Sequence, residues 1–112
     1  MSLDELERMR ALPKNWDGYG APSINPEMIS LAGFLIEKIR GWLPVLRVVP
    51  TSGGSVQIEL ICQGKLLELE LCRDGIHCLK TDGFRADEEE WIMGWDRVEE
   101  LRDAIHWLTS ND

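Results

Sequence analysis

Between residues 46 and 80, apolar side chains recur at every second position, and turn-forming segments interrupt this pattern three times. The apolar segments are "LRVVP", "SVQIELIC", "KLLELEL" and "IHCLK", and the interruptions are "TSGG", "QG" and "DG". A period of two places alternate side chains on opposite faces of a β-strand, and short glycine-containing segments are typical of hairpin turns. The sequence therefore predicts an antiparallel meander of four strands.

The same alternation predicts the register, because directly opposed residues of an antiparallel pair lie on the same face of the sheet. A two- or four-residue connection around Gln63-Gly64 aligns the two apolar faces. The opposed pairs predicted on this basis are Ile58 with Leu69, Leu60 with Leu67, Gln57 with Glu70 and Glu59 with Glu68. A turn at Asp74-Gly75 likewise predicts that Cys72 lies opposite His77. An arginine of the first strand, Arg47, is expected on the polar face beside these acids.

The segment before the meander carries the signals of two helices. A capping box of Ser2 and Glu5 predicts a first helix over residues 3–12, which the following proline ends. Asn25-Pro26 has the residue types of an N-cap and a first helical position, and an apolar stripe continues from there. We expect the second helix to end near Gly41.

The segment after the meander is open to two interpretations. Residues 87–95, "DEEEWIMGW", fit either a capped helical turn or a fifth strand. We favour the strand, because Gly94 interrupts the segment and Asp96 with Glu99 forms a fresh capping box. A last helix is predicted from there to about Thr109.

These elements together predict one α+β domain over residues 1–112. It has two amino-terminal helices, an antiparallel meander of four or five strands, and a carboxy-terminal helix packed on one face of the sheet. No apolar run reaches the roughly 20 residues that a membrane span requires, and the start of the chain is charged. We therefore expect a cytoplasmic protein, monomeric or homodimeric, in which Cys62, Cys72 and Cys78 are reduced thiols.

Most of the net charge of −8 lies near the carboxyl end of the chain. Residues 82–112 contain ten acidic and three basic residues, so this segment carries −7, whereas residues 1–81 carry −1. Such a field repels phosphate backbones and attracts basic surfaces. The charge distribution therefore predicts a basic protein partner and argues against direct binding of nucleic acid.

No catalytic motif is present, but two clusters on the polar face of the predicted sheet contain residue types that could bind a metal or transfer a proton. Glu68, Glu70, Cys72 and His77 offer the ligand types that zinc prefers, but structural zinc needs four converging ligands and only the last two are predicted to be opposed. The pair of Glu59 and Glu68 could share a proton, but acid–base catalysis needs a cleft. An ordinary polar sheet face is favoured, so we predict no enzyme activity, metal or cofactor.

The five tryptophans offer a second kind of contact, since aromatic side chains are favoured anchors at protein interfaces. Two of them, Trp91 and Trp95, lie within the acidic tail. Two interpretations of Trp91 and Trp95 are equally good: they anchor a protein interface, or they cover the ends of the sheet. The predicted partner-binding residues are Asp87, Glu88, Glu89, Glu90, Trp91, Trp95, Glu59, Glu68 and Glu70.

Three segments of the chain, "LPKNWDGYGAPSINPE", "VVPTSGGSVQIEL" and "LELELCRDG", resemble a family of small bacterial proteins. Its members share an N-W-D-G-x-G-A-x-P-I loop, a G-G-x-x-Q-[IL]-E strand and an E-[ILV]-E strand. The chain departs from this pattern at Leu60, where the family has an aromatic residue. The resemblance implies a common fold and leaves the function open, since no enzymatic activity is established for the family. It also suggests an interaction role, such as an antitoxin or a phage-encoded inhibitor of the anti-CRISPR kind.

The loop motif "NWDGYGA" places two large aromatic residues among turn residues. Asp17 can accept hydrogen bonds from backbone N–H groups two residues on, and Gly18 and Gly20 permit positive φ. We predict that Trp16 and Tyr19 fold inward, so that the loop clasps the first helix to the domain. The alternative is a binding loop, which would expose both aromatic side chains.

The leading functional hypothesis is a non-enzymatic acidic interaction protein. It would bind and neutralise a protein with a basic surface, either a toxin or a nucleic-acid-handling defence complex. The alternative is an acidic secretion-type chaperone that binds an unfolded segment of an effector in an exposed apolar groove. A salt-sensitive complex favours the first, and salt-insensitive binding of an unfolded segment favours the second.

Overall fold

The computed structural model describes residues 2–39, 45–83 and 87–110, with side chains described for 4–39, 47–83 and 88–110. The elements are α1 Ser2–Arg10, α2 Pro26–Ile39, β1 Val45–Pro50, β2 Val56–Cys62, β3 Lys65–Cys72, β4 Gly75–Asp82, β5 Asp87–Met93, a 3₁₀ helix Trp95–Glu100 and α3 Leu101–Thr109. The strands form one antiparallel sheet in the order of the sequence. The predicted α+β fold and its fifth strand are confirmed.

One hydrophobic core lies between the helices and a single face of the sheet. Alternate strand residues point into it, and α1, α2 and α3 contribute their apolar side chains to the same cluster. The largest fully buried side chains are Ile29, Leu35, Ile36, Ile39, Ile58, Leu60, Leu67, Leu69, Leu71, Ile76, Met93 and Leu108. Within the described residues, the opposite face of the sheet is covered by no helix.

The helix starts were predicted with mixed success. Asn25 caps α2 as predicted, because its Oδ1 accepts the Glu27 N–H at 2.8 Å. The predicted capping box of Asp96 and Glu99 is wrong, since the 3₁₀ helix begins one residue earlier without a side-chain cap. Its first residue, Trp95, packs against the core and donates its indole N–H to the Cys72 carbonyl at 2.7 Å. The structure does not describe the side chain of Ser2, the predicted cap of α1, or residue Gly41, the predicted end of α2.

The register of the β2–β3 hairpin is confirmed at every predicted pair. Leu60 lies opposite Leu67, and Glu59 lies opposite Glu68. The connection is the two-residue turn Gln63-Gly64, with φ values of 49° and 82°. Positive φ at both central residues is the requirement of the type I′ hairpin turn.

The register of the β3–β4 hairpin differs from the prediction by two residues. The turn is Arg73-Asp74, so Cys72 lies opposite Gly75, and His77 lies opposite Glu70. Gly75 belongs to the strand because β5 approaches it closely: a Cβ there would lie 2.5 Å from the Met93 carbonyl oxygen. The prediction used this glycine for the turn, whereas the fold uses it for contact between strands.

The loop between α1 and α2, residues 11–25, is held by its Asx side chains. Asp17 Oδ1 accepts the N–H groups of Tyr19 at 2.9 Å and Ala21 at 3.1 Å. Gly18 and Gly20 have φ values of 80° and 86°, as predicted. Asn15 also has positive φ, and its Oδ1 accepts the Gly20 N–H at 2.6 Å. The predicted turn chemistry is confirmed.

The two aromatic residues of this loop face in different directions. Trp16 is half-buried against the core and donates its indole N–H to the Pro22 carbonyl at 3.0 Å, as a clasp requires. Tyr19 is 94% exposed, so the prediction that it folds inward is wrong. The Tyr19 N–H donates to the Asp17 carboxylate at the tip of the turn. The turn is therefore held without the Tyr19 ring, which points away from the domain.

The carboxyl end of α3 is tied to the sheet by a buried lysine. Lys65 Nζ donates to the backbone carbonyls of Trp107 at 3.0 Å and Ser110 at 3.1 Å. A cation at this end of a helix is favoured by the helix dipole. Lys80 Nζ lies 5.1 Å from the centre of the Trp107 ring and 5.2 Å from that of Trp91. These contacts hold α3 over the core face of the sheet.

All three cysteines are free thiols, as predicted. Cys78 is buried on the core face, and burial raises the pKa of its thiol to about 11. Cys62 and Cys72 are half-buried at the ends of their strands.

Among the described helices, none has the length and apolar character that crossing a membrane would require.

Candidate functional site

The sheet residues that point away from the helices form a surface that we call the outer face. It carries five carboxylates within the described side chains, together with several apolar residues. Its members are Arg47, Val49, Gln57, Glu59, Ile61, Leu66, Glu68, Glu70, Cys72, His77, Leu79, Thr81, Glu88, Glu90 and Ile92.

The outer face joins two acidic groups that are far apart in the sequence. Glu59 lies opposite Glu68, and the same row continues across Leu79 to Glu90. Glu88 lies in the neighbouring row, opposite Thr81. The meander and the acidic tail were predicted as separate contact regions, and the pairing of β5 with β4 makes them one surface.

Only alternate acids of β5 belong to this surface. Glu89 points to the helix side of the sheet, where its carboxylate lies 3.9 Å from Lys80 Nζ. Asp87 lies opposite Asp82 in the register, and its side chain is outside the described set. Of the four predicted tail acids, the structure therefore places Glu88 and Glu90 on the outer face.

Negative charge on the outer face is only partly compensated. Arg47 Nε lies 3.5 Å from a Glu59 carboxylate oxygen. The pKa of Glu68 is raised above its ordinary value of 4.5 by burial, and then by the charges of Glu59 and Glu88. Like charges at opposed positions repel one another, so ionised Glu68 is held in an unfavourable environment.

Glu70 is held by a different set of contacts. One carboxylate oxygen accepts the Ser55 hydroxyl at 2.8 Å, and the same hydroxyl lies 2.7 Å from the Thr51 Oγ1. These bonds connect Glu70 to the turn between β1 and β2. Its position is therefore fixed by the fold, and it presents a second oxygen to the outer face.

Apolar side chains lie among the carboxylates. Ile61 and Ile92 are 41% and 57% exposed, and Leu66 and Leu79 are half-buried. A shallow concavity of about 430 Å³ is lined by Ile92 together with Glu68, Glu70 and Glu90. A surface of this composition can pair lysine or arginine head groups and also cover their aliphatic stems.

The two tryptophans of the tail do not lie on the outer face. Trp91 is half-buried on the helix side of the sheet, with Lys80 Nζ over its ring. Trp95 is also half-buried and is tied to the Cys72 carbonyl. Both rings pack against the core, so the structure favours covers for the ends of the sheet over interface anchors.

Of the four residues weighed as zinc ligands, the structure brings two together and adds a third. Cys72 and His77 offer ligand atoms within 4.8 Å of each other and of the Asp74 carboxylate. Glu68 and Glu70 are not part of this group. Asp74 was missed because it was assigned to the turn; a C-x-D-x-x-H spacing across a hairpin was the available signal.

A second surface lies between α2 and the 3₁₀ helix. It is an apolar groove of about 560 Å³ whose lining includes Leu31, Phe34 and Val98. Phe34 is 58% exposed, and Lys38 Nζ lies 4.8 Å from the centre of its ring. This groove is the feature that the chaperone alternative requires.

Comparisons with protein-family models, with curated proteins and with solved structures gave no match to this chain.

The repulsion at Glu68 leads to a stability prediction. We expect Glu68→Gln to raise the free energy of unfolding at neutral pH by a few tenths to about 1 kcal/mol, the range for opposed like charges. A raised pKa means that ionisation of Glu68 destabilises the fold, and this penalty is lost as the pH falls through the folded-state pKa. Denaturant titrations of both proteins should therefore differ at pH 7 and converge in acid. A less stable variant at pH 7 would contradict the prediction.

Proposed function

We propose that the chain is a non-enzymatic protein that binds and neutralises a protein partner with a basic surface, through its outer face. The observation that carries the proposal is the collection of five carboxylates and two exposed isoleucines on a sheet face that none of the described helices covers. Exposed apolar area mixed with uncompensated charge of one sign is the composition of a surface that a complementary partner covers.

Charge complementarity selects the class of partner. Each lysine or arginine placed beside Glu59, Glu68 or Glu88 would relieve repulsion that the free protein retains. Basic grooves occur on proteins that handle nucleic acids, because such grooves bind phosphates. An acidic face seated in such a groove would compete with the nucleic acid. Toxins and defence complexes that act on nucleic acids are therefore the partners that we favour.

The central prediction concerns the two outer-face acids of β5. We expect the double substitution Glu88→Gln and Glu90→Gln to slow association with the partner several-fold and to flatten its salt dependence, since rim charges act mainly on the rate of encounter. The matched control is Glu7→Gln with Glu99→Gln. It makes the same change in net charge at exposed acids on α1 and the 3₁₀ helix.

The measurement starts from capture on the immobilised wild-type chain, using a lysate of the organism that encodes it. The captured protein is then purified and its association rate is measured on a biosensor at several salt concentrations. We expect a basic protein whose action on nucleic acid is blocked by the wild type and by the control, but much less by the outer-face variant. Equal rates for the two double variants would refute the outer face as the binding surface.

The chaperone alternative is supported by the apolar groove beside Phe34. It predicts that a captured segment is unfolded, that binding is insensitive to salt, and that Phe34→Ser weakens binding while the outer-face substitutions do not. The two hypotheses thus differ in which surface, when substituted, weakens binding, and in how binding responds to salt.

A further inference from the structure

We propose that the β3–β4 hairpin binds a divalent transition-metal ion, with zinc the best fit, through Cys72 Sγ, the Asp74 carboxylate and His77 Nε2. These three ligand atoms all lie within 4.8 Å of one another. Sulfur, nitrogen and carboxylate oxygen are the donor types that zinc takes in proteins, and a site with three protein ligands leaves a fourth position for water or another molecule. This proposal is independent of the partner proposed above.

The hairpin geometry brings these residues together. Cys72 is the last residue of β3 and His77 is the third of β4, and both point to the outer face. The Arg73-Asp74 turn carries the aspartate back over this end of the sheet. Its Oδ1 lies 2.8 Å from His77 Nε2, so the imidazole is already oriented toward the carboxylate.

Only a small movement separates the Asp74–His77 pair from a coordinated arrangement, and Cys72 Sγ, within 4.8 Å of both, would move closer by up to about 1 Å. Ligand bonds of about 2.0–2.2 Å in a tetrahedral arrangement place oxygen and nitrogen ligands roughly 3.3 Å apart. The Asp74 and His77 atoms would therefore separate by about half an ångström as an ion replaces their shared hydrogen. Asp74 and His77 side chains are 63% and 41% exposed, so an ion reaches them directly from solvent.

The local charge favours a cation. The Asp74 carboxylate lies within 4.8 Å of Cys72 Sγ, and Glu70 lies opposite His77 on the same face, so the field at this end of the sheet is negative. A bound dication offsets that field and stabilises the thiolate. Binding converts the thiol to a thiolate and releases its proton to the solvent.

The test uses cobalt(II), a spectroscopic substitute for zinc. The reduced, chelator-treated chain is titrated with Co²⁺, and the thiolate-to-cobalt charge-transfer band is followed in the near ultraviolet. We expect one ion per chain and displacement of the band by Zn²⁺. We also expect loss of the band in Cys72→Ser and at least about tenfold weaker binding in His77→Ala and Asp74→Asn, as for loss of groups that support a metal.

Cys62→Ser is the matched control, because Cys62 is a half-buried thiol that ends β2 just as Cys72 ends β3. This variant should keep the band and the affinity of the wild type. Circular dichroism confirms that each variant is folded before titration. A wild type without the band, a band that survives Cys72→Ser, or an affinity that is unchanged in His77→Ala and Asp74→Asn would each overturn the proposal.

Discussion

Replacing Trp16 with alanine is expected to lower the free energy of unfolding by about 3 kcal/mol. Truncation of a core tryptophan costs roughly 3–5 kcal/mol, and Trp16 is half-buried, so the lower end applies. The substitution also removes the indole N–H bond to the Pro22 carbonyl. The loop that Trp16 anchors is joined to the sheet by the bond from the Asn25 N–H to the Gly54 carbonyl at 2.8 Å. Denaturant-induced unfolding measures the change.

Tyr19→Ala is the matched control for this prediction, because it removes an aromatic ring three residues away in the same loop. Since that ring is 94% exposed, we expect a change within about 0.5 kcal/mol. Equal destabilisation by both substitutions would contradict the conclusion that Trp16 packs against the core and Tyr19 does not. If Trp16→Ala left stability unchanged but abolished partner binding, the loop would be a binding site and not a clasp.

The parts of the fold that were predicted correctly are those that local pattern determines. At the β2–β3 hairpin, the alternation of apolar residues and the short connection around Gly64 permit only one alignment of the two faces. Asn25 caps α2 through a bond to a residue two positions away. The turn bonds of Asp17 are equally local. In each case the contact lies within a single hairpin, helix start or turn.

The errors arise where distant segments decide the local conformation. The start of the 3₁₀ helix depends on the bond between Trp95 and the Cys72 carbonyl, and these residues are far apart in the chain. No pattern around residue 96 encodes that contact. The error at Tyr19 has a local cause instead: Asp17 accepts the Tyr19 N–H and so holds the turn without any contact from the Tyr19 ring, which is left exposed.

The candidate site also depends on contacts between distant segments. Its acids were all predicted as contact residues, but they lie on one surface only because β5 pairs with β4. That pairing selects Glu88 and Glu90 for the outer face and turns Glu89 toward Lys80. A one-residue shift would have exchanged them. The cluster of Cys72, Asp74 and His77 depends in turn on which two residues form the β3–β4 turn, and the sequence favoured the wrong pair.

Gly75, which was predicted in the β3–β4 turn but lies in β4, is expected to be among the least replaceable residues. We expect Gly75→Ala to lower the free energy of unfolding by about 3 kcal/mol. Its φ of 146° is a conformation that other residues adopt only with strain, worth roughly 1–3 kcal/mol. The new Cβ would also lie 2.5 Å from the Met93 carbonyl oxygen and 3.2 Å from Ile92 Cγ2. The β4–β5 pair must therefore separate locally to admit one methyl group.

Gly53→Ala supplies the control for this substitution. Gly53 lies in the β1–β2 turn outside the left-handed region, and the nearest atom to an added Cβ is Thr51 Oγ1 at 3.8 Å. Alanine there should be neutral or stabilising by about 0.5 kcal/mol, because it restricts the unfolded chain without a clash. Hydrogen exchange distinguishes the two outcomes locally: Gly75→Ala should deprotect the amides of β5 more than those of β2. Similar stability and protection in both variants would mean that β5 does not depend on the close approach at Gly75. The pairing of β5 with β4, which places Glu88 and Glu90 on the outer face, would then rest on the other contacts between the two strands.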